Sequence, residues 1–294
     1  MRSYSEMMSL IKRVAQQDAR VRAVILNGSR ANPQAKKDMF QDYDIVYVVE
    51  DIRSFILDQD WIDVFGERIM LQMPENMREP MGDGRFTYLM LFTDCNRIDL
   101  QLIPVEKADQ LISRDSQSVL LLDKDNVIVP FPPASNADYY IQKPMELEYA
   151  SCCNNFWWCM QNVAKGIWRD ELAYAMGMYH GVVRDELHHM IDWYIGIQHN
   201  FNVSAGKMGK LYKEYLDPIQ FHAYRKTYSG ADFEDMWKAI FIMCELFHDL
   251  AQDVAQKLGF QYNHRDAAAM LDYLKHVEKM PTANYDFEDF WSVV

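Results

Sequence analysis

Leu26-Asn27-Gly28-Ser29-Arg30 and, one loop later, Asp42-Tyr43-Asp44-Ile45-Val46-Tyr47-Val48-Val49 decide the fold. Val21 to Leu26 is an apolar run of strand length, and the chain breaks after it at Gly28-Ser29, where small residues let backbone N–H groups approach an anion closely. Ile45, Tyr47 and Val49 alternate with Asp44, Val46 and Val48, which is the period-two pattern of a second strand. Asp42 and Asp44 then share a face, about 6.6 Å apart along the backbone, and flexible carboxylates on that base converge on metal ions held about 3.5–4 Å apart. A pair of magnesium ions is the expected occupant.

A third carboxylate comes from Arg97-Ile98-Asp99-Leu100-Gln101-Leu102-Ile103, another alternating run. Asp99 shares a face with Arg97 and Gln101, while Ile98, Leu100 and Leu102 point to the core. If this strand lies beside the one that carries Asp44, three acids meet over one phosphate.

These segments resemble the nucleotidyltransferase superfamily, whose pattern is Gly-Ser, a loop, Asp-x-Asp on one strand and a further acid on its neighbour. More closely, Leu26–Pro33, Phe40–Ile45 and Leu91–Leu100 are similar to the aminoglycoside 6-adenylyltransferases that inactivate streptomycin. The resemblance implies ATP as co-substrate, Asp42 and Asp44 as ligands of the phosphate-bridging magnesium, and Gly28 and Ser29 as the cradle of the outer phosphates. It also implies Asp99 as a metal ligand and as the general base that takes the acceptor's hydroxyl proton. Cys95 stands where that family is expected to carry a turn glycine.

The rest of the chain is consistent with a soluble enzyme. With 294 residues and 49% hydrophobic content it can bury one large core or two modest ones. A net charge of −13, from 43 acidic and 30 basic side chains, disfavours a nucleic-acid partner and suits a cationic small-molecule antibiotic. Five cysteines lack the spacing of a disulfide framework or zinc site and are expected as reduced core residues. The opening segment lacks the apolar core of a signal peptide, and no later stretch approaches the ~18 uncharged apolar residues of a membrane span. The expected location is cytoplasmic, as monomer or dimer.

The predicted organisation is α+β. An initial helix, the two strands above, a helical segment near Ile52–Asp58, a hairpin of Phe86–Phe92 and Arg97–Ile103 and a short strand at Val127–Val129 form a mixed α/β nucleotidyltransferase domain over residues 1–140. The prolines at 130, 132, 133 and 144 mark the boundary. Residues 141–294 turn to helical spacing, as in Tyr149, Cys153, Phe156, Met160, Val163 and Ile167 or Trp237, Ile240, Cys244, Phe247, Ala251 and Val254, and predict a helical bundle that binds substrate.

Several residues outside the acid triad are candidates. Arg30 either touches the triphosphate or is an exposed turn arginine. Lys207 and Lys210, flanked by Gly206 and Gly209, form either a phosphate clamp or solvated lysines at a helix start. Trp168, Asp170 and Glu171 can wall and counter-charge a cationic sugar, against the plainer reading of core packing and helix capping. Glu148 is a further candidate contact for the acceptor. Arg184 and the His188-His189 pair spell an Arg-x4-His motif seen in helical RNA-cleaving domains, but five residues of helix turn Arg184 and His189 away from each other. His248 and His264 have no partner at metal-ligand spacing. Transfer of AMP to a hydroxyl of streptomycin is the leading expectation. The alternatives are another acceptor, namely a metabolite, a protein or an RNA end, or a nucleic-acid-directed toxin-like protein.

Overall fold

Period-two alternation becomes a sheet with two buried faces. In the computed structural model, which describes residues 1–113, 116–126 and 128–281, the strands are β1 (Val21–Asn27), β2 (Tyr43–Val49), β3 (Arg68–Gln72), β4 (Phe86–Phe92), β5 (Arg97–Pro104) and β6 (Ser118–Asp123). They form one six-stranded sheet in the order β3-β4-β5-β2-β1-β6. The β2–β5 pair is parallel and the other pairs are antiparallel.

On one face Val24, Leu26, Ile45, Tyr47, Val49, Ile98, Leu100 and Leu102 pack under helix α1 (Tyr4–Gln17). Helix α1 starts where Ser3 and Glu6 cap each other, the Ser3 hydroxyl accepting from Glu6 N and the Glu6 carboxylate from Ser3 N. It buries Met7, Met8, Ile11, Val14 and Ala15, and Tyr47 donates its hydroxyl to the Ile11 carbonyl at 2.6 Å. The other face carries a smaller cluster of Ala23, Ile25, Val46, Val48 and Ile103, closed by Ala108, Ile112 and Ile128. Asp44 and Asp99 lie on this second face by the alternation of their strands. Short helices α2 (Arg53–Ile56) and α3 (Ala108–Leu111) complete the unit, α2 within the expected helical segment.

The structure corrects the edges of the expected sheet. The sixth strand is Ser118–Asp123, whose continuous apolar run Val119–Leu122 does not alternate. Ile128 and Val129 are not in a strand, and Val127 lies outside the described residues. β3 was not expected; it sits on the sheet's outer edge with Ile69 and Met70 exposed, so burial leaves no pattern in its sequence.

The chain separates into two compact units, Met1–Asp138 and Tyr139 onward. The second is helical among its described residues: α4 (Glu146–Trp168), α5 (Leu172–Gly177), a π-helical turn over Met178–Val183, α6 (Arg184–Gln198), α7 (Tyr212–Tyr215), α8 (Pro218–Lys226), α9 (Phe233–Leu258) and α10 (His264–Lys279). The positions picked out by helical spacing are its core. Phe156 of α4 and Phe247 of α9 stack with centroids 3.7 Å apart, and Trp157 meets both rings edge-on. Cys152, Cys153, Cys159 and Cys244 are buried free thiols, whereas Cys95 is exposed, which corrects the expectation that all five are core residues. No helix among the described residues is long and apolar enough to cross a membrane.

Candidate metal and nucleotide site

Strand register assembles the acids. β1 and β2 pair so that Asn27 lies opposite Asp44, and β2 and β5 pair so that Asp44 lies opposite Asp99. The Gly-Ser turn, the Asp-x-Asp segment and the third acid therefore converge at one end of three adjacent strands. Asp42, Asp44 and Asp99 each offer a carboxylate oxygen, and these oxygens all lie within 4.8 Å of one another. Asp42 stands just before β2, which begins at Tyr43, so it reaches the site from the loop and not from the strand face assumed in its spacing.

Gly28 opens a 3₁₀ turn, Gly28–Arg30, with φ +70°, and a Cβ built on it would stand 2.3 Å from Asp44 Oδ2. Only glycine combines that backbone with that neighbour. Arg30 is engaged: its guanidinium lies 3.8 Å from the centroid of the Tyr43 ring, its Nε donates to the Asp42 carbonyl at 2.9 Å and its Nη2 donates to the Gln41 carbonyl. Gln41 Nε2 in turn donates to Ser29 Oγ at 3.3 Å. The segment carrying Asp42 is thus tied to the Gly-Ser turn through Arg30 and Gln41.

Burial pushes the Asp44 carboxyl up to about 7, and the neighbouring Asp42 and Asp99 charges push the same way against the opposing pull of Arg97 and Arg30. A carboxylate crowded by two others favours a cation among them. Three hard oxygen donors of this kind fit magnesium. Asp99 is held by Arg97, whose Nε and Nη2 donate to its two oxygens at 2.7 and 2.6 Å. The sequence puts Arg97 on the same face without marking this role; opposite charges two apart at the exposed start of an interior strand were the available signal. Cys95 adopts φ +64° in the β4–β5 turn, a left-handed conformation that explains why glycine is expected there.

The remaining candidates are placed within the helical unit. Glu148 accepts the Met145 backbone N–H at 2.7 Å, and Trp168 donates Nε1 to the Pro281 carbonyl at 3.3 Å while its ring packs partly on the core. Asp170 is exposed with φ +58°, and Glu171 occupies the N-cap position of α5 without a side-chain capping bond. Lys207 and Lys210 are exposed at a 3₁₀ turn between Gly206 and Leu211. Arg184 is buried at 4% exposure and bonds Thr227 and His180, whereas His189 is exposed and stacks on Trp193, so the Arg-x4-His pair does not meet. His248 bonds the Tyr262 hydroxyl at 3.0 Å.

The chain is similar to known adenylyltransferases over most of its length. Residues 1–277 match the family model described as streptomycin adenylyltransferase. An aminoglycoside 6-adenylyltransferase of Campylobacter jejuni is 41% identical over 263 residues, covering 89% of this chain and 91% of that protein. Proteins of the same name from Bacillus subtilis (strain 168) and Staphylococcus aureus are 38% and 32% identical, covering 90% and 97% of this chain and 95% and 100% of their own lengths. A crystal structure of an aminoglycoside 6-adenyltransferase from Bacillus subtilis aligns over 95% of this chain and 100% of its own, with 33% identity and a TM-score of 0.47.

Proposed function

The chain belongs to the streptomycin adenylyltransferase family, and from that premise we propose that this nucleotidyltransferase moves AMP from ATP to a hydroxyl of an aminoglycoside, with streptomycin the acceptor. Pyrophosphate leaves and the drug is inactivated. The observation that carries the reading is the convergence of Asp42, Asp44 and Asp99 beside the Gly28-Ser29 turn.

Asp42, Asp44 and Asp99 would hold magnesium, as two ions. When bound, magnesium supplies positive charge against the triphosphate and the charge developing on the transferred phosphoryl group. The backbone N–H groups of Gly28 and Ser29, with the Ser29 hydroxyl, bind the outer phosphates. Arg30 steadies Asp42 through its carbonyl and offers its remaining N–H groups to a phosphate oxygen. Asp99 takes the proton of the acceptor hydroxyl as that oxygen bonds to the α-phosphorus. The bond from the α-phosphorus to its bridging oxygen breaks in the same displacement, and pyrophosphate departs with the electron pair.

In this reading residues 1–140 are the catalytic domain and 141–294 the substrate domain. Glu148, Asp170 and Glu171 supply counter-charges for the cationic acceptor, Trp168 a wall, and Lys207 and Lys210 a clamp on the phosphates. The protein works in the cytoplasm as monomer or dimer without a nucleic-acid partner, in keeping with its net charge of −13. Mass spectrometry of streptomycin after incubation with the protein, ATP and magnesium tests the reading. A single added AMP group is expected; unmodified streptomycin alongside a modified second aminoglycoside would move the acceptor assignment.

A further inference from the structure

Arg97 and Asp99 are two apart on β5, so both side chains stand on the face that carries the acid triad. The guanidinium meets the carboxylate fork to fork, with contacts of 2.7 and 2.6 Å. Asp99 is mostly covered, at 17% side-chain exposure, and Arg97 is half open to water, at 47%. Asp42 and Asp44 each place a carboxylate oxygen within 4.8 Å of one on Asp99, so the guanidinium held on Asp99 also bears on their charges. The other nearby arginine, Arg30, is fixed by two main-chain carbonyls and the Tyr43 ring.

We propose that Arg97 is a positioning residue that acts as a resident stand-in cation: it aims the Asp99 carboxylate and offsets the triad until magnesium nucleotide displaces it. The inference rests on the reading of Asp99 as metal ligand and base. Arg97 takes one lone pair on each Asp99 oxygen and offsets the carboxylate's charge, so a metal ion or the acceptor's proton competes with the guanidinium for Asp99. Arg97 is the half-open partner, so its guanidinium regains water as it leaves the carboxylate, which offsets part of the lost contact. The released fork then stands beside the arriving triphosphate, whose oxygens it matches as well as it matched the carboxylate.

The experiment titrates Mn²⁺ alone into the nucleotide-free full-length protein and reads affinity by electron paramagnetic resonance of the free ion. Arg97→Gln removes one positive charge from the binding site. It is expected to tighten Mn²⁺ about tenfold, the scale of a unit charge a few ångströms away in a partly screened site. Arg97→Lys keeps the charge but loses the fork, and is expected to stay within about threefold of the parent. In an Asp99→Asn background the Arg97→Gln gain is expected to fall below about threefold, because the anchor holding Arg97 on the site is gone. In turnover, Arg97→Gln should lower kcat more than it raises the KM for ATP, with Arg97→Lys recovering part of kcat.

Unchanged or weaker Mn²⁺ binding in Arg97→Gln overturns the proposal, as does a gain of the same size in the Asp99→Asn background. If Arg97→Gln lacks a cooperative thermal transition, Arg97→Ala carries the same titration, with the same expected gain and the same overturning result. If that variant also fails to fold, Arg97 serves the fold and the proposal falls. The Mn²⁺ titration involves no acceptor, so failure to adenylylate any aminoglycoside would sink the proposed function and leave this result standing.

Discussion

Gly28 and Asp44 occupy adjoining space: a side chain on the first would begin 2.3 Å from Oδ2 of the second, on a backbone held at φ +70°. Gly28→Ala therefore meets two penalties, roughly 1–2 kcal/mol of left-handed backbone strain and displacement of the Asp44 carboxylate. Misplacement of a reacting group by about 1 Å costs on the order of 10²-fold in rate. We expect kcat to fall by at least about that factor and magnesium affinity to weaken, while the circular dichroism spectrum is unchanged. Parental kcat in Gly28→Ala would show that Asp44 need not stand where the structure puts it.

Asp42→Asn and Asp44→Asn each replace a hard anionic ligand by a neutral amide, and turnover is expected to disappear with the fold intact. Asp99→Asn behaves differently. It loses the proton acceptor, so kcat should drop by about 10²–10⁴-fold or more, with ATP-magnesium affinity changing far less than in the other two variants. Calorimetric ATP binding measured beside kcat separates the cases. A drop smaller than about tenfold in Asp99→Asn would remove it as the base.

Arg2 fastens the start of α1 to the β4–β5 turn. Its backbone N–H and Nε donate to Asp94 Oδ2 at 2.9 and 2.8 Å, and Asn96 Nδ2 donates to the Arg2 carbonyl at 3.1 Å. The side-chain bonds from Arg2 hold the Asp94 carboxyl well below the usual carboxylate range. A depressed carboxylate stabilises the fold above its unfolded value near pH 3.9, and the contribution is lost as pH falls through the lower folded value. Asp94→Asn should cost about 1–3 kcal/mol in urea unfolding at pH 7. The gap to the parent should narrow in acid below about pH 4. An equal gap at pH 7 and pH 2.5 would show that the ionised form of Asp94 contributes nothing.

Arg184 has a structural office. Buried over the Tyr228 ring at 3.7 Å, it donates to Thr227 Oγ1 and the Thr227 carbonyl at 2.9 and 2.8 Å, at the C-terminal end of α8, where a cation is favoured. Arg184→Ala removes the donor to Thr227 Oγ1 and leaves the Thr227 carbonyl with the Tyr179 hydroxyl alone, and should cost about 1–3 kcal/mol in thermal or urea unfolding. Turnover of the protein that stays folded should be close to the parent's. Loss of kcat with no loss of stability would place Arg184 in the reaction instead.

β5 was legible in the sequence because one face is apolar and the other polar toward its acid-bearing end, so Ile98, Leu100 and Leu102 alternate cleanly with Arg97, Asp99 and Gln101, whereas β1 and β2, buried on both faces, stand out as apolar runs of strand length. The helical unit was legible for the same reason at a different period, as the stacked Phe156 and Phe247 illustrate. β3 was missed because an edge strand with exposed Ile69 and Met70 carries no burial pattern, and β6 because Val119–Leu122 is apolar without alternation. In the site, residue types and spacing marked the acids and Gly28. The Arg97–Asp99 pair and the bracing of Asp42 by Arg30 depend on side-chain direction at a strand's end, which composition and period do not encode.

Pyrophosphate release, followed with purified protein, ATP and magnesium in the presence and absence of streptomycin, tests the central claim most directly. The account predicts release that needs all three components and vanishes in Asp42→Asn and Asp44→Asn. Release that ignores every aminoglycoside offered, or that persists at the parental rate in either variant, would contradict it.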